Sequence, residues 1–181
     1  MSCDPDIHHR RSVRLGRYDY SQNGAYFITV CCHGWKCLLG RIVSGRMVLS
    51  SFGRIVSAEW ERTEVMRPHV RTDSFVVMPN HVHGIIMIEG KRGSRGTLPR
   101  APQSEQFGKP TSDSIPTIVR SFKAATTVRI NRNRNKPGEP FWQRNYYEHV
   151  IRDEDELYQI HEYIRTNPIR WAADTLNRTN D

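Results

Sequence analysis

The chain has 181 residues, with 27 Lys and Arg against 19 Asp and Glu for a formal charge of +8, and its 37% hydrophobic content is that of a globular protein. A single domain of this length buries roughly 70% of the surface its unfolded chain exposes, so it holds a true core, and no run approaches the ~20 apolar residues that cross a bilayer. Cys3, Cys31, Cys32 and Cys37 are too few and too uneven for a secreted disulfide framework, and the first residues lack a signal-peptide pattern; the expectation is a cytoplasmic protein whose charge favours a polyanionic partner.

Residues 1–22 carry His8, His9, Arg10, Arg11, Arg14 and Arg17 with little apolar periodicity, predicting a basic arm that grips phosphate or is simply solvated. The domain is expected over residues 23–172. Tyr26 to Cys32, β-branched and aromatic after the turn signal Asn23-Gly24, reads as a buried strand. Arg41-Ile42-Val43 and Met47-Val48-Leu49 flank Ser44-Gly45-Arg46 as a small hairpin. Ser50 or Ser51 then caps a helix whose apolar positions are Phe52, Ile55, Val56 and Trp60. Ser74 to Met78 is a second strand, broken by Pro79-Asn80, and His81 to Ile88 is a third with apolar residues on both faces, which places it inside the sheet.

From Lys91 to about Ser114 the chain is rich in Gly, Pro, Ser and Arg and predicts a long mobile loop. A helix follows from near Pro116, with the stripe Ile115, Ile118, Val119, Phe122 and Ala125, ending in the basic run Arg129 to Lys136. Trp142 to Ile151 suits a strand. Asp153-x-x-Glu156 resembles a capping box opening a last helix that runs to Asn167, where Pro168 biases it to stop, leaving residues 173–181 as a tail. The order β, hairpin, α, β, β, α, β, α, without internal repeat, predicts an α+β sandwich with helices packed on one antiparallel sheet.

His81-Val82-His83 is the first chemical signal. Residues i and i+2 of a strand share a face, so both imidazoles project together and can hold one divalent cation. Chance alone supplies about a third of an H-x-H at this histidine content, so a third ligand is needed. Tyr163 and Asn167 stand one turn apart on the last helix, beside the apolar stripe Leu157, Ile160 and Ile164. If that helix crosses the histidine strand, Asn167 supplies an oxygen ligand and Tyr163 a hydroxyl beside the metal. Two imidazoles and an amide oxygen suit Mg²⁺ or Mn²⁺ with positions open to water and phosphate, and the chemistry that needs this set is phosphoryl transfer to tyrosine, with no organic cofactor.

Tyr26-Phe27-Ile28-Thr29-Val30, Val77 through Ile86, Phe141-Trp142-Gln143-Arg144, Glu148-His149-Val150-Ile151-Arg152 and Tyr163-Ile164-x-x-Asn167-Pro168 together resemble the REP-associated tyrosine transposases, relatives of the single-strand HUH transposases, over most of residues 24–171. The resemblance implies a ferredoxin-like fold in which His81, His83 and Asn167 bind Mg²⁺ or Mn²⁺. It also implies that Tyr163 is the nucleophile, cutting single-stranded DNA near a hairpin to give a 5′-phosphotyrosine and a free 3′-OH. Relatives act with the site completed within one chain or across two, so monomer and homodimer both stay open. Where many relatives have Arg-Phe-Trp-Glu-His, this chain has Asn145-Tyr146-Tyr147-Glu148-His149. Tyr147 is therefore a reserve nucleophile, against the reading of Tyr146 and Tyr147 as one core and one surface ring.

Other residues have plainer readings. His149 is expected to be a hydrogen-bonded histidine orienting the last helix and His161 a surface group, while Glu154, Asp155 and Glu156 are what a helix dipole favours in a first turn. Arg120, Lys123, Arg129, Arg132 and Arg134 form a series expected to contact phosphates. Trp142 is either a platform for an unpaired base or a core ring. Two rival functions remain: a non-catalytic nucleic-acid-binding module on the same fold, and a hydrolase that uses His81, His83 and water. If Tyr163 and Asn167 do not come within a few ångströms of the two imidazoles, the tyrosine-enzyme reading loses its geometry.

Overall fold

The computed structural model describes residues 18–90 and 113–177. The basic residues of the arm up to position 17, the loop over 91–112 and residues 178–181 lie outside the described residues. In chain order the elements are β1 (Gly24–Cys31), β2 (Gly40–Val43), β3 (Arg46–Leu49), α1 (Ser51–Val65), β4 (Val70–Val77), β5 (His81–Ile88), α2 (Ile115–Asn133), β6 (Tyr147–Ile151) and α3 (Glu154–Arg170).

The main sheet has the order β4-β5-β1-β6, with every neighbouring pair antiparallel. The path β1, α1, β4, β5, α2, β6 is the βαββαβ of a ferredoxin-like α+β fold, to which α3 adds a further helix. β2 and β3 form a separate two-stranded ribbon before α1. Its two-residue turn, Ser44 at φ 48° and Gly45 at φ 73°, has both central residues left-handed, the hand that matches strand twist. Ser50 is the cap of α1, its hydroxyl accepting from the Gly53 amide.

Strand alternation sorts the side chains into two layers. Tyr26, Ile28, Val30 and Cys32 from β1 and its exit, with Val82, Ile86 and Ile88 from β5, pack with Val56 and Trp60 of α1 and Ile118, Val119 and Phe122 of α2. On the other face Phe27 and Ile85 meet Ile151 and Ile164, with Leu157 and Ile160 of α3 beside them. Each fully buried Ile or Phe of this kind stabilises the fold by roughly 1.5–3 kcal/mol, so α3 is held on its face by a cluster worth several kcal/mol. β5 is interior, as its two-sided apolar pattern predicts, and His81 and His83 therefore look toward α3 while Val82 looks toward α1 and α2.

Three boundaries differ from expectation. β4 begins at Val70, and its pairing with β5 shifts between Thr72 and Phe75, where Asp73-Ser74 interrupts the apolar pattern that marks the later half. β6 is limited to Tyr147–Ile151; Trp142 only bridges Cys32, because the Lys123 ammonium holds the carbonyls of Gln143 and Arg144 out of a ladder. α3 runs through Pro168 to Arg170, since a proline in the last turn forfeits one amide only and the Trp171 N–H closes that turn on the Pro168 carbonyl. Tyr18 and Tyr20, from the segment assigned to the arm, also pack against the core.

Gly84 lies under the stacked rings of Trp60 and Phe75, whose centroids are 4.5 Å apart. A methyl group there would overlap the Trp60 ring. Gly84→Ala is expected to destabilise the fold by about 1–3 kcal/mol, lowering the melting temperature by several degrees in a thermal unfolding experiment.

Candidate active site

β5 carries His81 and His83 to the end of the sheet under α3, both essentially buried. Their Nε2 atoms face one another at 3.0 Å. Each Nδ1 has a buried partner at 2.8 Å: the Asn80 side-chain oxygen for His81 and the Thr29 hydroxyl for His83. Asn80 donates its NH₂ to the carbonyls of Trp35 and Leu176, which leaves its oxygen as acceptor and makes His81 Nδ1 the donor. The His81 Nε2 lone pair is therefore free. The 3.0 Å contact then takes its one proton from His83 Nε2, and the Thr29 hydroxyl donates to His83 Nδ1. A cation replacing that proton needs the other His83 tautomer, and the same hydroxyl can accept from it.

Burial pushes the His81 imidazole down to about 4 in spite of the nearby Asp174 carboxylate, and burial with His81 as neighbour holds His83 well below the usual histidine range. Both rings are thus neutral at ordinary pH, the form that binds metals.

α3 brings the other groups. The Tyr163 hydroxyl lies 3.2 Å from His83 Nε2, and its ring packs on Phe27 and His83. The phenol is 38% exposed, so one side is open to solvent. Burial of the rest, then Asp174, raises its pKa, while the Asn167 amide beside it pulls the other way. Asn167, one turn further on, is buried with its side-chain oxygen unpaired among the described residues.

Asp174 was not expected. Placed by sequence in the C-terminal tail, it returns to the site after a single turn over Trp171–Ala173, and its carboxylate lies 3.9 Å from His81 Nε2. Its Oδ2 is buried and makes no hydrogen bond among the described residues. One ligand atom from each of His81, His83 and Asp174 fits within 4.8 Å of the others. The available signal was faint: an acidic residue shortly after a helix that already carried candidate site groups. Asn80 and Thr29 were visible only as members of the quoted motifs.

The donor set fits a divalent cation. Two neutral imidazoles whose nitrogens lie 3.0 Å apart have the spacing of two ligands each ~2.1 Å from one ion at a right angle. Two buried oxygens without partners, on Asn167 and Asp174, supply hard donors of the kind Mg²⁺ or Mn²⁺ prefers.

The basic series lies in the other layer, on α2. Arg129 pairs with Glu59, and Arg134 bonds Asn131 and pairs with Glu139. Lys123 points at two backbone carbonyls, and burial pushes its ammonium down to about 8. Arg120 and Arg132 are exposed. Of the two readings of Trp142 the core ring holds and the base platform does not: it is 5% exposed, packed against Phe122 and Phe141, and its indole N–H is spent on the Thr126 hydroxyl. His149 bonds Glu156 at 2.7 Å and so ties β6 to the first turn of α3; His161 bonds Asp73 at 2.9 Å.

No family model matches the chain. It is 49% identical over 175 residues, 94% of each chain, to an uncharacterized protein of Haemophilus influenzae, and belongs to the same family as that protein. It is 26% identical over 155 residues to a second protein of Haemophilus influenzae assigned as a REP-associated tyrosine transposase, covering 85% of this chain and 75% of that one. A solved structure of a REP-associated tyrosine transposase bound to a REP hairpin superposes with a TM-score of 0.59 at 19% identity, covering 88% of this chain and 74% of that one; the likeness shows a shared fold. No helix among the described residues is long and apolar enough to cross a membrane.

Two outcomes are expected. Thr29→Val keeps the shape and removes the Nδ1 partner of His83, so Mn²⁺ affinity measured by calorimetry should fall about 10- to 100-fold. In chelator, the depressed imidazole of His81 means that the unfolded chain binds more protons than the folded one between pH 6.5 and about 4. Stability is then fully present above pH 6.5 and declines toward pH 4, by on the order of 3 kcal/mol from this group, visible as a falling melting temperature with a shallower fall in His81→Gln.

Proposed function

We propose that this chain is a metal-dependent transposase that nicks and rejoins single-stranded DNA at hairpins through a 5′-phosphotyrosine on Tyr163. The observation that carries the reading is the Tyr163 hydroxyl 3.2 Å from one of two paired, neutral imidazoles, with an unpaired Asp174 oxygen 3.9 Å from the other and the Asn167 amide, whose oxygen is also unpaired, against the phenol. A hydrolase with water as nucleophile needs no phenol at that point, and a packing role for the histidines leaves those oxygens unexplained. The 26% identity to a protein assigned as a REP-associated tyrosine transposase and the fold shared with a hairpin-bound one support the same reading.

In this reading His81, His83 and an oxygen of Asn167 or Asp174 hold Mg²⁺ or Mn²⁺. When bound, the ion supplies Lewis-acid stabilisation to the phosphate and to the departing oxygen. Tyr163 acts as the nucleophile: its oxygen bonds to phosphorus, the bond from phosphorus to the 3′ oxygen breaks, and that oxygen leaves as a hydroxyl after protonation. The phenol proton passes to solvent on the exposed side. Rejoining is the reverse step with a second 3′-OH, which expels the phenolate. Phe27 keeps the ring in place, with centroids 6.0 Å apart, so the attacking atom is positioned before the strand arrives.

The test is a covalent-adduct assay with end-labelled single-stranded hairpin oligonucleotides from the flanks of the gene. Wild type should form an adduct in Mn²⁺ and none in chelator, and Tyr163→Phe should lose roughly 10³-fold or more. An adduct of normal yield in Tyr163→Phe, or one indifferent to chelator, would overturn the proposal.

A further inference from the structure

At the level of the imidazoles, a row of paired residues crosses the sheet and ends on an exposed ring. His83 on β5 pairs with Thr29 on β1, and Thr29 pairs with Tyr147 on β6. Directly paired residues point to the same face, and neighbouring strands are about 4.8 Å apart, so the Tyr147 backbone stands roughly 10 Å from that of His83, on the side that holds the site. Phe27 fills the space between. Its ring centroid lies 5.3 Å from His83, 6.0 Å from Tyr163 and 6.3 Å from Tyr147.

Burial separates these rings into wall and platform. Phe27 is 9% exposed, whereas Tyr147 is 46% exposed at the start of the edge strand. The cluster that α3 covers, with Ile164, Leu157 and Ile160 over Phe27, Ile85 and Ile151, does not include it. The Tyr147 hydroxyl makes no hydrogen bond among the described residues, and its ring meets that of Phe27 edge to face. An open aromatic face one or two nucleotide spacings from a phosphodiester site is what an unpaired base stacks on.

We infer that Tyr147 is the stacking platform for an unpaired base next to the scissile phosphodiester, and that it contributes selectivity for single strands. The inference rests on the proposed function for the position of that phosphodiester. A base inside a duplex has both faces covered by its neighbours and cannot take the platform; an unpaired one can. Tyr147 is thereby a binding and positioning residue, with the nucleophile on the other side of Phe27.

The experiment measures binding by fluorescence anisotropy in chelator, and adduct yield in Mn²⁺, for hairpin oligonucleotides with an unpaired tail. Tyr147→Ala should weaken binding roughly 5- to 150-fold, and Tyr147→Phe, which keeps the ring, should restore it to within about threefold with the adduct intact. An abasic replacement at one unpaired nucleotide beside the cut should weaken wild type by a similar factor and leave Tyr147→Ala unaffected. Tyr147→Ala binding as wild type does, the same abasic penalty in both proteins, or no binding by wild type would overturn the inference. So would a Tyr147→Phe that binds but forms no adduct, which would make Tyr147 the nucleophile. Absence of the adduct in wild type with the binding pattern intact defeats the proposed reaction and leaves the platform standing.

Discussion

A chain of buried hydrogen bonds runs from the Asn80 side-chain oxygen through the two imidazoles to the Thr29 hydroxyl, with steps of 2.8, 3.0 and 2.8 Å. At this depth a charged imidazolium is expensive, so the rings stay neutral and their protons are confined to the few positions that the partners allow. Position and protonation state are thus set by the same contacts. Tyr163 and Asp174 both approach this fixed pair, and the phenol is raised by its own burial and then by the Asp174 carboxylate.

The sheet divides the molecule into a packing layer and a chemical layer. The α1 and α2 side is closed by large rings and aliphatics, and most of its candidate phosphate cations are drawn into the fold itself, Arg129 by Glu59 and Lys123 by backbone carbonyls. The α3 side has a smaller apolar cluster that stops short of the imidazole end, and the space left there admits the polar groups. A net charge of +8 therefore says little about where a polyanion would lie on the described surface.

Local periodicity made most of this fold legible in the sequence. The i, i+2 histidines needed only strand geometry to share a face, and Tyr163 with Asn167 needed only helix geometry; the apolar pattern of β5 placed it inside the sheet. Features that depend on the chain returning from a distance were not legible. Asp174 reaches the site only because α3 passes through Pro168, where sequence rules favour a stop. Trp142 is of the residue type that binds bases, and its burial is decided by Thr126 and Phe122 of α2, with the neighbouring Phe141 ring against it.

Tyr163 and Asn167 ride on α3, and Asp174 is joined to its end through the turn that the Pro168 carbonyl closes, whereas His81 and His83 belong to the sheet. The helix is pinned before its first turn by the Asp153 cap, at that turn by Glu156 on His149, and beyond its last by the Asn80 amide on the Leu176 carbonyl. The two halves of the site are therefore held in register by these ties and by the apolar cluster beneath the helix. Because the phenol and the amide share one helix and the carboxylate follows its exit, a substitution that loosens the seat of that helix reaches all three groups that face the imidazoles at once.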